Sequence, residues 1–340
     1  MIKKVFDVYE GEEVLIYTVK SEYLEADILT FGATVHALRV KDKRGGFTDV
    51  ALGYTKVSDH YDKGGYLGAI VGRVGNRIDK GRFSLNGKVY QVGINDGNNS
   101  LHGGIKGFDK KNWTVEYADE RKIILSTFSP DGEEGYPAGL IVRVTYEITA
   151  EKGLKISYEG VADGDTVVSL TNHTYFNLNG EGKGDILSHK LFIQADEITP
   201  VDGELIPHGD FMKVENTPFD FRTPKLIGRD IEKDDPQLKN CGGYDVNFVL
   251  SGKGFRKVAE AEGNESGIKM SVYTDREGVQ FYSGNFLNGE RGKTSAHKKR
   301  GAFCLETQSF PNAVNCPEYP SVALKKGEKY KTTTEYRFSL

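Results

Sequence analysis

Apolar and polar side chains alternate along residues 142–149, with Val142, Val144, Tyr146 and Ile148 on one face and Arg143, Thr145 and Glu147 on the other. A two-residue period belongs to a strand with one buried face. Glu151-Lys152-Gly153 turns the chain into a second such run at 154–158. Runs at 14–19 and 33–40 end in turn-forming clusters such as Lys41-Asp42-Lys43-Arg44-Gly45-Gly46 and also read as strands. Further strands are predicted near 190–195, 267–274, 279–282, 302–306 and 330–338. Between Phe83-Ser84-Leu85 and Lys88-Val89-Tyr90, the pair Asn86-Gly87 tolerates positive φ and predicts a type I′ hairpin. Helical periodicity is nearly absent. The 41 glycines and 10 prolines punctuate many short strands, as in a sandwich or barrel with long surface loops. No Ser/Pro-rich hinge and no fixed-period repeat divides the chain, so residues 1–340 read as one large all-β domain.

The alternation breaks at residues 170–180, Leu-Thr-Asn-His-Thr-Tyr-Phe-Asn-Leu-Asn-Gly. Read as a strand, this stretch presents Asn172, His173 and Asn177 on an aromatic floor of Tyr175 and Phe176, a surface suited to a sugar or other polyol. The competing reading is a core histidine satisfied by a neighbouring amide, because buried polar groups are usually hydrogen-bonded.

Charge narrows the partner. The 45 basic and 49 acidic residues are interspersed, with a net charge of −4, and form no basic face for nucleic acid or an anionic membrane. A neutral small molecule is expected. Cys241, Cys304 and Cys316 are odd in number and lack metal-ligand spacing, so neither a disulfide framework nor a zinc site is expected and a reducing cytosol fits. The opening Met-Ile-Lys-Lys-Val-Phe-Asp does not read as a signal peptide, and no run approaches a membrane span.

Five further segments could carry chemistry. Gly72-Arg73-Val74-Gly75-Asn76-Arg77 echoes a nucleotide-binding loop but leads into the hairpin rather than a helix, which leaves Asn76 and Arg77 as polar donors beside a tight turn. Leu101-His102-Gly103-Gly104 sets an imidazole beside two glycines that would allow a ligand close to the backbone. The acidic loop Asp131-Gly132-Glu133-Glu134-Gly135-Tyr136-Pro137 reverses the chain. Gly242-Gly243-Tyr244-Asp245-Val246-Asn247-Phe248 puts a carboxylate among an aromatic, an amide and two glycines. Glu306 follows a strand with apolar neighbours, where a carboxylate is costly unless paired or used.

Taken in order, Gly-Asn-Arg-Ile at 75–78, Leu-His-Gly-Gly at 101–104, Asn-His-Thr-Tyr-Phe-Asn-Leu at 172–178, Gly-Tyr-Asp at 243–245, Gln-Phe-Tyr-Ser-Gly-Asn-Phe at 280–286 and Leu-Glu-Thr-Gln at 305–308 resemble the aldose 1-epimerase, or galactose mutarotase, family. Each piece is weak alone; six in order over nearly the whole chain are specific. The resemblance implies a β-supersandwich with a sugar in an open cleft on one sheet. It implies Glu306 as general base, His173 as general acid, Asp245 as a binder of sugar hydroxyls, and Asn76, Arg77, His102 and Gln280 as further cleft contacts. Two positions depart from the family pattern. Val246 stands where many members have histidine, which puts a contact near the cleft in doubt, and Ala138 stands where many have glycine, in a turn.

Interconverting the anomers of a free aldose requires removing the C1 hydroxyl proton and protonating the ring oxygen, so that the ring opens to the aldehyde. A carboxylate and an imidazole suffice near neutral pH, without cofactor or metal. A glycoside hydrolase using Asp245 and Glu306 is one rival. A sugar sensor without turnover is another, disfavoured because binding alone needs neither His173 nor Glu306. A hexose-6-phosphate epimerase would want a cation cluster that the sequence does not display. Monomer and homodimer both remain open.

Overall fold

The computed structural model describes residues 2–340. Its largest element is a nine-stranded antiparallel sheet, ordered Thr114–Ala118, Lys122–Ser129, Leu140–Ile148, Gly153–Ala162, Lys329–Ser339, Lys269–Thr274, Arg256–Glu262, Lys190–Ile193 and Lys225–Leu226. The alternation at 142–149 does what its period requires. Val142, Val144, Tyr146 and Ile148 are buried, and Ile141 and Arg143 face outward. Each such inward Val or Ile removed from water contributes about 1.5–3 kcal/mol.

Two five-stranded sheets pack on the inner face. One runs consecutively through Ile2–Tyr9, Glu12–Lys20, Leu24–Leu29, Val35–Lys41 and Phe47–Asp49. It meets the large sheet through a shared apolar core and through Tyr146, whose hydroxyl donates to the Ala33 carbonyl at 2.5 Å. The other, ordered Met212–Lys213, Ala195–Thr199, Asp245–Leu250, Gly278–Tyr282 and Cys304–Gln308, carries the candidate site. Tyr336 of the large sheet donates to the Leu305 carbonyl beneath it, at 3.0 Å. The strand expected near 190–195 divides between sheets: Lys190–Ile193 belongs to the large one and Ala195–Thr199 to the cleft sheet, with Gln194 at the corner. The hairpin is as expected, Phe83 opposite Tyr90 and Asn86 and Gly87 both at positive φ.

The central stretch is not a long strand. Only Thr171–Asn172 pairs regularly, with Ile70–Val71. Phe176 then bridges Ala51 on one side and Phe303 on the other, so this segment is the seam that joins the two smaller sheets. Every residue from Leu170 to Leu178 is buried, where a strand with one open face was expected. Among the described residues helix is confined to two six-residue segments, Val57–Asp62 and Pro236–Cys241, and four short 3-10 turns. Among the described residues no helix is long and apolar enough to cross a membrane. All three cysteines are free and buried.

Candidate active site

Three adjacent strands of the cleft sheet place one row of polar groups. Asn247 lies opposite Gln280, and Gln280 opposite Glu306. Asp245, two residues before Asn247, shares their face. The other face carries Val246, Phe248, Val279, Phe281 and Leu305 into the core. Val246 is therefore turned away from the cleft, and a valine there removes no group from the site. Glu306 sits inside its strand rather than after it, 2 % exposed.

His173 enters from the seam. Its backbone is fixed by bonds from its N–H to Ala69 and from Gly68 to its carbonyl. The ring stacks on Tyr175, centroids 5.0 Å apart, and meets His102 edge-on at 5.1 Å. Nε2 lies 3.6 Å from Glu306 Oε1, and Nδ1 lies 3.5 Å from Cys304 Sγ. The supposed floor is only half present, since Phe176 packs against Phe303 and Tyr336 in the core. Asn172 and Asn177 are staples. Asn172 donates to Gly68 and accepts from Thr174, and Asn177 donates to Gly184 and Gly301.

The third wall comes from the pairing of Arg77–Ile78 with Ser100–Leu101, which brings Asn76 against His102. The His102 N–H donates to the Asn76 carbonyl, and the Asn76 N–H donates to His102 Nδ1 at 3.1 Å. With Nδ1 accepting, the ring proton of a neutral His102 sits on Nε2. Arg77 is no surface cation: Nε donates to Asp96 at 2.8 Å, and the side chain is 11 % exposed. The two glycines after His102 do not open the backbone to a ligand. A Cβ on Gly103 would lie 1.9 Å from the Gly72 carbonyl oxygen, and one on Gly104 would lie 2.4 Å from Glu134 Oε2. Glu134 also accepts from the N–H groups of Ile105 and Lys106, so the acidic loop, read as a simple reversal, braces the segment that follows His102.

Burial governs the electrostatics. It pushes His173 down to about 4 and holds His102 well below its usual value, with His173 and Arg77 adding to the effect on His102. Glu306 is raised well above the carboxylate range by burial and then by the charge of Asp245, against the pull of Arg77. Asp245 is raised by burial, opposed by Arg77 and by a 2.7 Å bond from Gln280 Nε2. The ionised carboxylate and protonated imidazole expected from ordinary values are thus both disfavoured by burial. Glu306 Oε2 is buried without a hydrogen-bond partner.

His102, His173 and Glu306 bring ligand-type atoms within 4.8 Å of one another. The donor set does not fit a metal, because the Asn76 N–H occupies His102 Nδ1 and leaves Nε2 as a hydrogen-bond donor. The cluster suits an oxygen-rich neutral molecule, offering donors at His102 and Arg77 and acceptors at Asp245 and Glu306. Asn76, Arg77, His102, His173, Asp245, Gln280 and Glu306 lie together around this cluster. Tyr66, whose ring stacks 5.9 Å from His173, and Cys304 were missed. The only signal for Cys304 was its place two residues before Glu306, which puts both on one face of a strand.

The family model described as Aldose 1-epimerase matches residues 15–337. The chain belongs to the aldose 1-epimerase family. It is 46% identical over 327 residues to a galactose mutarotase from Bos taurus, covering 95% of this chain and 94% of that one. It is 35% identical over 335 residues to an aldose 1-epimerase from Escherichia coli (strain K12), covering 97% and 96%. Among solved structures, an aldose epimerase homologue from C. elegans superposes with a TM-score of 0.89 at 29% identity, over 95% of this chain and 98% of that one. A galactose 1-epimerase from Lactobacillus acidophilus NCFM gives 0.87 at 28%, over 99% and 98%. The epimerase family therefore accounts for the sandwich and for the order of the cleft motifs.

Proposed function

We propose that this epimerase interconverts the α and β anomers of free aldohexoses such as galactose and glucose. The observation that carries the reading is the buried Glu306 carboxylate, whose Oε1 lies 3.6 Å from His173 Nε2 and whose Oε2 has no partner. Glu306 takes the C1 hydroxyl proton while His173 delivers one to the ring oxygen; the bond between C1 and the ring oxygen breaks and the aldehyde forms. Rotation about C1–C2 presents the other face, and the same groups in reversed roles close the ring.

Protonated Glu306 with neutral His173, and ionised Glu306 with protonated His173, hold the same single proton. Burial favours the first arrangement. A bound sugar supplies what the second lacks, a hydroxyl donating to Glu306 and a ring oxygen accepting from His173, and hydrogen bonds to the charged form favour it. Asp245, Gln280, Asn76, Arg77 and His102 hold the remaining hydroxyls. The protein works without cofactor, as a single domain, in the cytoplasm, a compartment supported by its three unpaired thiols.

Polarimetry on freshly dissolved α-galactose and α-glucose tests the reading: the protein speeds the drift in rotation and leaves a methyl glycoside intact. Glu306→Gln lowers kcat by at least about 10²-fold, as loss of a general base does, with no fall in melting temperature. Near-normal turnover in that variant removes Glu306 from the chemistry.

A further inference from the structure

The 305–308 motif contains a second polar side chain that the chemistry above leaves unused. Side chains alternate along Cys304–Gln308, so Gln308 shares the cleft face with Glu306. It is fully buried. Its Nε2 donates to Gln280 Oε1 at 3.5 Å, and Gln280 Nε2 donates to Asp245 Oδ1 at 2.7 Å. Gln308 Oε1 has no partner.

The direction of this chain follows from what each group can offer. An ionised carboxylate only accepts, so Gln280 must turn its NH2 to Asp245, which leaves its carbonyl oxygen pointing away and in need of a donor. Gln308 is that donor.

We infer that Gln308 is a positioning residue for the sugar site, anchoring the far end of the Gln280 amide so that its NH2 stays on Asp245 before the sugar arrives. The inference rests on the reading of Asp245 and Gln280 as sugar-binding groups. A side chain already ordered loses no rotamer freedom on binding, so Gln308 acts on affinity and leaves the proton transfers alone. Its bond is long, and its effect is correspondingly modest.

The test is Gln308→Met, which keeps the length and removes the donor. KM for galactose rises about three- to tenfold, the range for one lost hydrogen bond, while kcat stays within about twofold. The melting temperature does not fall, because the substitution also removes a buried acceptor that has no partner. In a Gln280→Met background the same substitution adds nothing, since groups in one chain are not additive. Should Gln308→Met fold poorly, Gln308→Asn, one methylene too short to reach Gln280, gives the same shift. A wild-type KM, or effects of the two glutamines that simply add, overturns the inference. If Gln280→Met and Asp245→Asn both leave KM untouched, the sugar-binding reading fails instead. A lower melting temperature with KM unchanged makes Gln308 a packing residue.

Discussion

Burial moves Glu306 and His173 in opposite directions, and the pair then holds one proton over an unusually wide range of pH. Acidification ends this when His173 accepts a second proton, at about 4. Alkali ends it when Glu306 gives up the last one, well above the usual carboxylate range. The profile of kcat/KM is accordingly a broad plateau, falling on the acid side near pH 4 and on the alkaline side at the raised Glu306 value. Asp245 is one cause of that elevation, so Asp245→Asn, while weakening binding, moves the alkaline limb to lower pH. A narrow bell with limbs at ordinary glutamate and histidine values would show that burial does not set these protonation states. His173→Asn keeps a hydrogen-bonding side chain but delivers no proton, and it retains sugar binding while losing most turnover. At this scale the sequence was most readable. Glu306 and His173 stand out as costly groups among apolar neighbours, and the ordered motifs link them to Asn76, Arg77, His102, Asp245 and Gln280. The tautomer of His102 could not be read, because it depends on Asn76, 26 residues away. The commitments of Asn172 and Asn177 were hidden for the same reason, since their partners lie on other segments.

Strands with one wet face announce themselves by period, and those at 142–149 and 154–158 were legible for that reason. Asp245–Leu250 is not among the strands expected from sequence, although Val246 and Phe248 alternate with polar neighbours. What no local pattern encodes is the seam, where Phe176 pairs with two chains at once. Turns show a different limit. Ala138, where many family members have glycine, has a φ of 64°, in the left-handed region. The turn matters beyond reversal, because the carbonyls of Pro137 and Ala138 accept from the buried guanidinium of Arg73 at 2.7 and 2.9 Å. An alanine there costs about 1–2 kcal/mol of backbone strain, partly offset by the greater freedom glycine gives the unfolded chain. Ala138→Gly raises the unfolding free energy by about 0.5–1 kcal/mol by these opposing terms, measured by denaturant titration, with activity unchanged. A loss of stability would mean that the alanine methyl packs usefully.

Across the whole molecule the histidines form a reserve of uncharged bases. Of seven in the chain, His36, His60, His102, His173 and His189 are all held below their usual value, mainly by burial. Unfolding below pH 6.5 lets these five take up protons. Asp109, raised to about 7, and Glu306, raised well above the usual carboxylate range, work the other way, retaining protons in the fold that the unfolded chain releases. The five imidazoles outnumber these carboxyls, so the unfolded chain binds more protons between about pH 6.5 and 4.5, and stability rises with pH across that window. Guanidinium melts at several pH values would detect it, and a flat stability profile would contradict it. The large sheet has its own consequence. Its central strand, Lys329–Ser339, follows every other member of that sheet in the chain and pairs with Gly153–Ala162 on one side and Lys269–Thr274 on the other. A ribosome therefore delivers two half-sheets before it delivers the strand that joins them. Until residue 329 emerges, both neighbours display bare edges, which are templates for pairing with other chains. A message cut short in this region yields nascent chains that cling to one another, a hazard for chaperones to manage during synthesis.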